Sequence, residues 1–238
     1  MAKILLSKNG IIKIPRSGDI NTQFGIVKRK DFEHANVGEI IKTHLNEPLL
    51  VTSPSYEDFI RMMKRGPQII TLKDIGEIIV YSNINKQSLV LEIGTGSGTL
   101  GIIISRIARK IISYDVREDY VALARHNARI FGVKNIEFKL GKVNERKESF
   151  DTVIIDIPNP KTAIESAMNA LKKGGYLCAY LPSISQISEL ISNKLELFKV
   201  MQINKIDWRV DPEKNISRPE NKQLYHTGFL LFSRKIFS

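Results

Sequence analysis

The sequence predicts an α/β protein in which a small N-terminal all-β domain precedes a mostly parallel sheet. Short apolar segments separated by turn residues fill residues 1–56, whereas from residue 68 onward apolar strands alternate with helical segments. The first strand of this second region, LVLEI, ends in the glycine-rich turn GTGSG. Unbroken apolar strands that alternate with helices are typical of parallel sheets covered on both faces.

The N-terminal region is predicted to be a barrel-like or sandwich-like β domain because Asn9-Gly10, residues 17–19 and Pro48 separate its strand candidates. These candidates are KILLS (3–7), IIKIP (11–15), FGIVKR (24–29), EIIKTHL (39–45) and PLLVTS (48–53). A helix is expected over 57–65, where Gly66-Pro67 ends it. We therefore divide the chain into a β domain, residues 1–60, and a second domain, residues 61–238.

The second domain is predicted to contain alternating helices and strands. The expected helices cover residues 73–82, 98–109, 117–131, 161–172 and 185–195. The expected strands cover residues 88–93, 110–115, 135–140, 150–156 and 175–181, with two final candidates at 197–206 and 227–236. The polar stretch 211–223 between the last two candidates is interpreted as an exposed loop.

Composition and charge limit the function. The chain has 238 residues, 42% of them hydrophobic, and its one cysteine, Cys178, lies in an apolar run, so neither a disulfide framework nor a metal site is expected. No segment is typical of a signal peptide or a membrane span, which suggests a soluble cytoplasmic protein. The formal charge of +11 favours an anionic partner such as RNA or DNA, although a basic protein without a nucleic-acid role is the alternative.

The glycine turn is the first motif with a chemical meaning. In open α/β sheets, ligands bind at the carboxyl ends of the strands. Gly94 and Gly96 would permit a tight turn and close ligand approach, and Gly98 would let the following helix pack close to the strand. The spacing is G-x-G-x-G, with Thr99 where a dinucleotide fingerprint needs its third glycine, and no Walker Gly-Lys-Ser/Thr follows.

Two carboxylates near this turn favour a cationic ligand that carries a ribose. Glu92 immediately before the turn would repel a pyrophosphate, but it suits the sulfonium and ammonium groups of S-adenosylmethionine. Asp115, at the end of the second strand, can bind both ribose hydroxyls, or it caps the following helix. S-adenosylmethionine is therefore the preferred ligand, with a structural turn or another nucleotide as alternatives.

A second motif follows the fourth strand. Asp156 begins the sequence DIPNP, in which Pro158 and Pro160 stiffen the chain as it leaves the sheet. This acid is expected at the carboxyl edge beside the ligand turn, unless it only caps the helix at residue 161.

Together with further landmarks, these motifs make the chain resemble the archaeal and bacterial tRNA (adenine-N1)-methyltransferases, which modify a T-loop adenosine at tRNA position 58, with position 57 as a second candidate. The resemblance covers nearly the whole chain. The landmarks are MKRGPQII (63–70), KDIG (73–76), LEIGTGSGTL (91–100), SYDVREDY (113–120), DIPNP (156–160), AYLPSISQI (179–187), RPE (218–220) and HTGFLLFSRK (226–235).

The resemblance implies a class I (Rossmann-like) methyltransferase fold with a seven-stranded mostly parallel sheet, assembled as a homotetramer that binds tRNA. Asp156 would accept a hydrogen bond from the target adenine, and Tyr180 would form a wall of the base pocket; these are the catalytic candidates. The residues implied in S-adenosylmethionine binding are Gln68, Glu92, Gly94, Thr95, Gly96, Ser97, Gly98, Thr99, Leu100, Asp115, Tyr120 and Asp156. The residues implied at the RNA are Thr71, Arg218, His226 and Thr227.

The chain departs from the family pattern at two positions. Thr71 stands where the family usually has Tyr or His, and Lys142 stands where an acid usually contacts the cofactor adenine. Two alternative functions therefore remain open. One is a noncatalytic RNA-binding subunit that pairs with an active paralogue, and the other is a class I methyltransferase that acts on a small molecule or a protein.

Overall fold

The structure is a computed structural model and describes residues 3–15, 17–143, 149–192, 195, 197–221 and 226–236. It divides into two compact units. The first comprises residues 1–64 and 129–132, and the second comprises residues 65–128 and 133–238.

The first unit is built around a four-stranded antiparallel sheet. The strands are β1 (Ile4–Ser7), β2 (Gly10–Ile12), β5 (Ile40–Lys42) and β6 (Pro48–Thr52), in the order β2-β1-β6-β5. Strands β3 (Ile20–Thr22) and β4 (Gly25–Val27) form a separate hairpin, and the helices are α1 (Arg29–His34) and α2 (Tyr56–Met62). Buried apolar side chains from the sheet, the hairpin and α1 form the core: Leu5, Ile12, Ile20, Val27, Phe32, Ala35, Leu49 and Val51.

The structure adds two elements to those expected in this unit, β3 and α1. Both are short, and α1 contributes one large buried side chain, Phe32, so their sequences carry little periodicity. Helix α2 begins with a capping box between Ser55 and Asp58 and ends at Met62, three residues before the expected end.

The second unit contains a sheet of seven strands among the described residues. They are β7 (Leu89–Ile93), β8 (Lys110–Asp115), β9 (Ile136–Leu140), β10 (Phe150–Ile155), β11 (Leu171–Leu181), β12 (Lys199–Met201) and β15 (Phe229–Arg234). The order is β12-β15-β11-β10-β7-β8-β9, and only β15 runs antiparallel to its neighbours. This arrangement confirms the expected seven-stranded, mostly parallel, Rossmann-like sheet.

The helices of this unit are α3 (Leu72–Tyr81), α4 (Thr99–Ile104), α5 (Glu118–Ile130), α6 (Ile164–Ala170) and α7 (Ile184–Ile191). Successive residues of β7 and β10 are buried, although they point to opposite faces, so both faces of the sheet are covered at its centre. Among the described residues, no helix has the length and hydrophobicity that a membrane span requires.

The chain order places a topological switch point between β7 and β10. From β7 the chain continues through β8 and β9 on one side, and it then crosses to β10 on the other side. Because ligands of open α/β sheets bind at such a point, the carboxyl ends of β7 and β10 mark the expected site.

Several boundaries differ from the predictions, and α7 ends at Ile191 rather than at residue 195. Helix α4 ends at Ile104 rather than at residue 109, because the following turns have i→i+3 bonds and the Ser105 hydroxyl binds the Ile102 carbonyl. The predicted helix 161–172 is a 3₁₀ turn, Pro160–Thr162, followed by α6. Strand β11 begins at Leu171, where Leu171 pairs with Phe150 before a register shift.

Two further predictions are wrong: the loop expected over 211–223 and the end of the strand expected over 197–206. Strand β12 ends at Met201, and the structure adds the hairpin of β13 (Trp208–Asp211) and β14 (Ile216–Pro219), whose turn includes Asn215 at a φ of 51°. The side chains of this hairpin are mostly exposed. Neither strand alternates between buried and exposed residues, so the hairpin lacks the pattern that normally predicts a half-buried strand.

The core of the second unit gives a direct stability prediction. Phe150 is fully buried at the start of β10. We expect Phe150→Ala to lower the free energy of unfolding by about 3–5 kcal/mol, since it removes buried surface and leaves a cavity. Urea unfolding measures this change. The control Val80→Ala removes a side chain that is 70% exposed, and it should change stability by less than about 0.5 kcal/mol. Equal effects of the two variants would contradict the described core.

Candidate functional site

The glycine turn, residues 94–98, is fixed at the switch point by both neighbouring strands. Gly94 has a φ of 104°, and a Cβ atom there would lie 1.9 Å from the carbonyl oxygen of Asp156. The N–H groups of Gly94 and Thr95 donate to the Tyr114 carbonyl, at 2.8 and 3.1 Å. The turn is therefore hydrogen-bonded to the end of β8 and in contact with the backbone that leaves β10, and only glycine fits at residue 94.

The rest of the turn leads into α4. The N–H of Gly96 donates to Asp115 Oδ2 at 3.0 Å. Gly98 is the N-cap of α4, and a Cβ atom there would lie 3.0 Å from that of Ala124 in α5. Gly98 thus allows close packing on a helix, whereas close packing on a strand was expected. The remaining predicted side chains of this stretch are buried: Thr95, Ser97, Thr99 and Leu100.

Glu92 lies beneath the turn and is 1% exposed. Its Oε2 accepts the Ser113 hydroxyl at 2.5 Å, and its carboxyl group also accepts the N–H of Gly101. Burial raises the pKa of Glu92 to about 8, and the nearby charge of Asp156 adds to this rise. Glu92 therefore holds β8 and α4 in place around the turn, and its expected contact with a cationic ligand stays a prediction.

Asp115 ends β8 beside the turn. Besides the bond from Gly96, its Oδ1 accepts the N–H of Arg117 at 3.0 Å. Each carboxylate oxygen keeps acceptor capacity for a ribose hydroxyl, because an ionised carboxylate has about four acceptor sites. Tyr120 lies on the first turns of α5, where the Arg117 guanidinium stacks 3.9 Å from its ring centre and donates to its hydroxyl at 2.9 Å.

Asp156 follows β10 directly and is half-buried. Its backbone N–H donates to the Ile93 carbonyl at 2.8 Å, which fixes its position beside the end of β7. Within the described part of the chain, its side chain has no hydrogen-bond partner. Burial raises the pKa of Asp156 to about 7, with a further contribution from the negative charge of Asp115. A carboxyl group without a partner, at the switch point, is available to a ligand.

Tyr180 lies in β11 and is 9% exposed. Its hydroxyl donates to the carbonyl oxygen of Thr227 at 2.5 Å. Burial raises the pKa of Tyr180 to about 12, and the negative charges of Asp74 and Asp156 act in the same direction. The phenol is therefore neutral at physiological pH, with both carboxylates near it.

Two of the four residues predicted at the RNA meet at one buried group. The hydroxyls of Thr71 and Thr227 both donate to Asp74 Oδ2, at 2.8 and 2.7 Å. His226 is exposed, and its Nε2 lies 3.4 Å from the Pro182 carbonyl oxygen. Their contacts with RNA stay predictions.

Arg218 is not part of this group. It lies in β14 of the separate hairpin, is exposed, and pairs in register with Arg209. Gln68 is also exposed, two residues before the buried Ile70, and Lys142 is exposed after β9. The segment before α3 does reach the turn, since Pro67 Cγ would lie 3.2 Å from a Cβ atom at Gly96.

The site contains charged residues that were not predicted. Asp74 is fully buried, and Lys73 Nζ lies 2.8 Å from its Oδ1. The spacing of Thr71 and Asp74, three residues apart at a helix start, is a capping-box-like signal that could have identified this pair. The hydrogen bond between Asp74 and Thr227 joins residues that are 153 positions apart, and no pattern in the sequence indicates it. In the described residues, no group of His, Cys, Asp and Glu side chains has the geometry of a metal site.

The buried carboxyl of Glu92 predicts an unusual pH dependence of stability. Its pKa rises from 4.5 to about 8 on folding, so above pH 4.5 the folded state retains a proton that the unfolded chain loses. This contribution to stability is complete below pH 4.5 and is lost as the pH rises to about 8. We expect Glu92→Gln to flatten the fall in unfolding free energy over this range by up to about 1.4 kcal/mol per pH unit.

Urea unfolding between about pH 5 and 8 measures this slope. The raised pKa of Asp156 also lowers stability as the pH rises, but Asp156 is present in both proteins. The test is therefore the difference between the slope of the wild type and the slope of Glu92→Gln. The control Glu118→Gln removes an exposed carboxyl from α5 and should keep the wild-type slope. Identical slopes in Glu92→Gln and the wild type would show that Glu92 is ionised in the folded protein.

Comparison with known proteins identifies the family of the chain. The family model for the tRNA methyltransferase complex GCD14 subunit matches residues 50–211. A tRNA (adenine(58)-N(1))-methyltransferase TrmI from Thermus thermophilus is 32% identical, over 93% of this chain and 91% of the relative. A tRNA (adenine(57)-N(1)/adenine(58)-N(1))-methyltransferase TrmI from Methanocaldococcus jannaschii is 28% identical, over 90% of this chain and 86% of the relative.

Solved structures share the fold. A SAM-dependent O-methyltransferase from Thermotoga maritima has a TM-score of 0.83, with 24% identity over 100% of this chain and 93% of that chain. The tRNA (m1A58) methyltransferase TrmI from Aquifex aeolicus has a TM-score of 0.80, with 24% identity over 100% of this chain and 98% of that chain. The family model and the sequence relatives confirm the predicted resemblance. The chain belongs to the tRNA methyltransferase complex GCD14 subunit family.

Proposed function

We propose that this protein transfers the methyl group of S-adenosylmethionine to N1 of a tRNA T-loop adenosine, at position 58 and with position 57 as a second acceptor. The observation that carries the proposal is the Asp156 carboxyl at the switch point beside the glycine turn, which has no hydrogen-bond partner among the residues that the structure describes. The Thermus thermophilus relative, a tRNA (adenine(58)-N(1))-methyltransferase, supports the same substrate.

The residues present fit S-adenosylmethionine. The turn at 94–98 offers backbone close to the ligand space, because no Cβ atom fits at Gly94. Asp115 has free acceptor capacity for a ribose, and Tyr120 would lie near the cofactor adenine, as the family implies. When bound, S-adenosylmethionine supplies a methyl group on a sulfonium, which is an excellent leaving group. The carboxyl groups of Glu92, Asp115 and Asp156 favour such a cation, because its charge stabilises their ionised forms.

The adenine needs no strong base. N1 of a neutral adenine has a free lone pair, so the protein must chiefly align the base with the donor, and alignment alone can contribute about 7–11 kcal/mol. Ionised Asp156 accepts a hydrogen bond from the exocyclic amine N6. It thereby selects adenine, and it stabilises the positive charge that develops on the purine during methylation.

The residue that would form a wall of the base pocket, Tyr180, is neutral. The Tyr180 phenol keeps its proton because burial raises its pKa to about 12. At residue 71, where the family usually has an aromatic ring, the Thr71 hydroxyl is bound to Asp74. The flipped base therefore lacks one stacking partner, and Tyr180 carries more of its placement.

The wider surface suits a tRNA and an oligomer. The charge of +11 favours a polyanion, and N1 is hidden in paired or stacked RNA, so the base must turn out into the pocket. The homotetramer that the resemblance implies would cover the exposed apolar side chains of the C-terminal part: Leu197, Phe198, Ile206, Trp208 and Val210. We place the protein in the cytoplasm, where it would meet tRNA.

One alternative has an observation in its favour. Thr71 replaces an aromatic residue, as a noncatalytic subunit paired with an active paralogue would tolerate. Retention of the glycine turn, Asp115 and Asp156 argues for an active enzyme. A methyltransferase acting on a small molecule or a protein is disfavoured by the basic charge and by the similarity to tRNA enzymes over 93% of the chain.

The activity is tested with purified protein, labelled S-adenosylmethionine and unmodified tRNA, followed by nucleoside analysis. We expect 1-methyladenosine from the wild type. Asp156→Ala and Asp156→Asn should lower kcat by about 100-fold or more, because they remove the charge that stabilises the methylated purine. Both should keep the dissociation constant of the donor within roughly tenfold.

Asp151→Asn is the matched control, since Asp151 lies at the amino end of the same strand and binds the Leu89 N–H and Lys172. It should keep kcat. Absence of 1-methyladenosine with wild-type protein alone would contradict the proposal, and its appearance only with an added paralogue would support the noncatalytic subunit. Equal losses of donor affinity and kcat in the Asp156 variants would show that Asp156 serves the donor alone.

A further inference from the structure

A buried polar network joins the start of α3 to the start of β15. Its centre is Asp74, which is fully buried. Oδ2 of Asp74 accepts the hydroxyls of Thr71 at 2.8 Å and Thr227 at 2.7 Å, and Oδ1 accepts Lys73 Nζ at 2.8 Å. The carboxylate is thus surrounded by donors from two segments that are far apart in sequence.

Lys73 closes the network into a ring. Its ammonium also donates to the Thr227 hydroxyl at 2.5 Å, and its side chain is 8% exposed. The Thr227 hydroxyl therefore accepts from Lys73 and donates to Asp74, which leaves it one orientation. Two charged groups and two hydroxyls satisfy one another away from water.

The network ends at the wall of the base pocket. The carbonyl oxygen of Thr227 accepts the Tyr180 hydroxyl at 2.5 Å. The next residue is Gly228, where a Cβ atom would lie 2.6 Å from the Tyr180 ring. The backbone at 227–228 thus fixes both the hydroxyl and the face of this ring.

We propose that Thr71, Lys73, Asp74 and Thr227 are positioning residues, which hold the Thr227 carbonyl so that the Tyr180 phenol is correctly placed for the target base. The proposal rests on the proposed function for the identity of that base. The hydroxyl of Thr71 has an internal role in this network, as a donor to Asp74, in place of a contact with the base.

A purely structural role explains this arrangement less well. Burying an ion pair costs desolvation energy, and apolar residues of similar size often give equal or greater stability. Charged groups and hydroxyls instead restrict the network to one arrangement, because each hydrogen bond is directional. The need for one geometry is greatest beside Tyr180, since small misplacements of a substrate-contacting group can cost large factors in rate.

A double-mutant cycle tests the proposal in the full-length protein. Thr227→Val removes the hydroxyl that ties residue 227 to Asp74 and Lys73, and Tyr180→Phe removes the bond to the residue 227 carbonyl. We expect each variant to lower kcat for tRNA by about 10- to 100-fold with the donor dissociation constant unchanged. The double variant should be hardly slower than the single ones, because both act through the same ring.

Two variants control for the hydroxyl and for stability. Thr227→Ser keeps the hydroxyl and should restore most of the lost kcat. Thr152→Val removes another buried threonine hydroxyl, which donates to the Ser82 carbonyl, and it should lower the melting temperature without lowering kcat. If Thr227→Val does not fold, Thr71→Val removes one donor to Asp74, and the same cycle with Tyr180→Phe is run on it.

A measurement without activity separates this proposal from the proposed function. Protein labelled with 3-fluorotyrosine gives a ¹⁹F signal for Tyr180, assigned by its absence in Tyr180→Phe. This signal should shift in Thr227→Val and not in Thr152→Val, even if the wild type makes no 1-methyladenosine. An unshifted signal, or additive losses of kcat in the cycle, would overturn the positioning role.

Discussion

The close approach of Gly94 to the Asp156 carbonyl is the constraint on which the site depends. It brings the exits of β7 and β10 side by side at the point where the strand order reverses. Because no side chain fits between them, the glycine turn must begin at Gly94, and Asp156 must leave its strand beside it. The Tyr114 carbonyl, which accepts two N–H groups of the turn, fixes the third strand end relative to the other two. The edge where the ligand is proposed to bind is therefore shaped by contacts of the backbone.

The same constraint concentrates negative charge. Glu92, Asp115 and Asp156 all belong to the ends of these three strands, and burial raises the pKa of both Glu92 and Asp156. In the absence of a bound cation, the favoured state is one in which some of these carboxyl groups are protonated. A cationic donor reverses this preference, since its charge stabilises the ionised carboxylates. An ionised Asp156 is the form that accepts an amine hydrogen bond, so donor binding would also prepare the contact with adenine.

Much of this arrangement was predictable from local sequence. The apolar strands, the glycine turn and DIPNP define β7, β8 and β10 and place Asp115 and Asp156 at one edge. Local sequence failed where periodicity is absent or where structure depends on distant partners. The exposed hairpin of Trp208–Asp211 and Ile216–Pro219 has strands of only four residues, and α4 ends early because the Ser105 hydroxyl donates to the Ile102 carbonyl. Likewise, the partners of Glu92 within the fold, Ser113 and Gly101, lie on β8 and α4, and no local sequence pattern indicates these bonds.

The buried network illustrates the limit most clearly. Considered within its own segment, Asp74 is an ordinary acidic residue in the first turn of a helix. Thr71, considered in the same way, is only a position at which the aromatic side chain usual in the family is missing. Only the folded chain brings the hydroxyl of Thr227, which lies just before β15, to the Asp74 carboxylate that Thr71 also binds. The replacement of an aromatic ring by Thr71 then has a second consequence, because a hydroxyl at this position adds a donor to a buried carboxylate. In the proposed function, a smaller stacking area on the base would thus be coupled to a more rigid attachment of the Tyr180 ring.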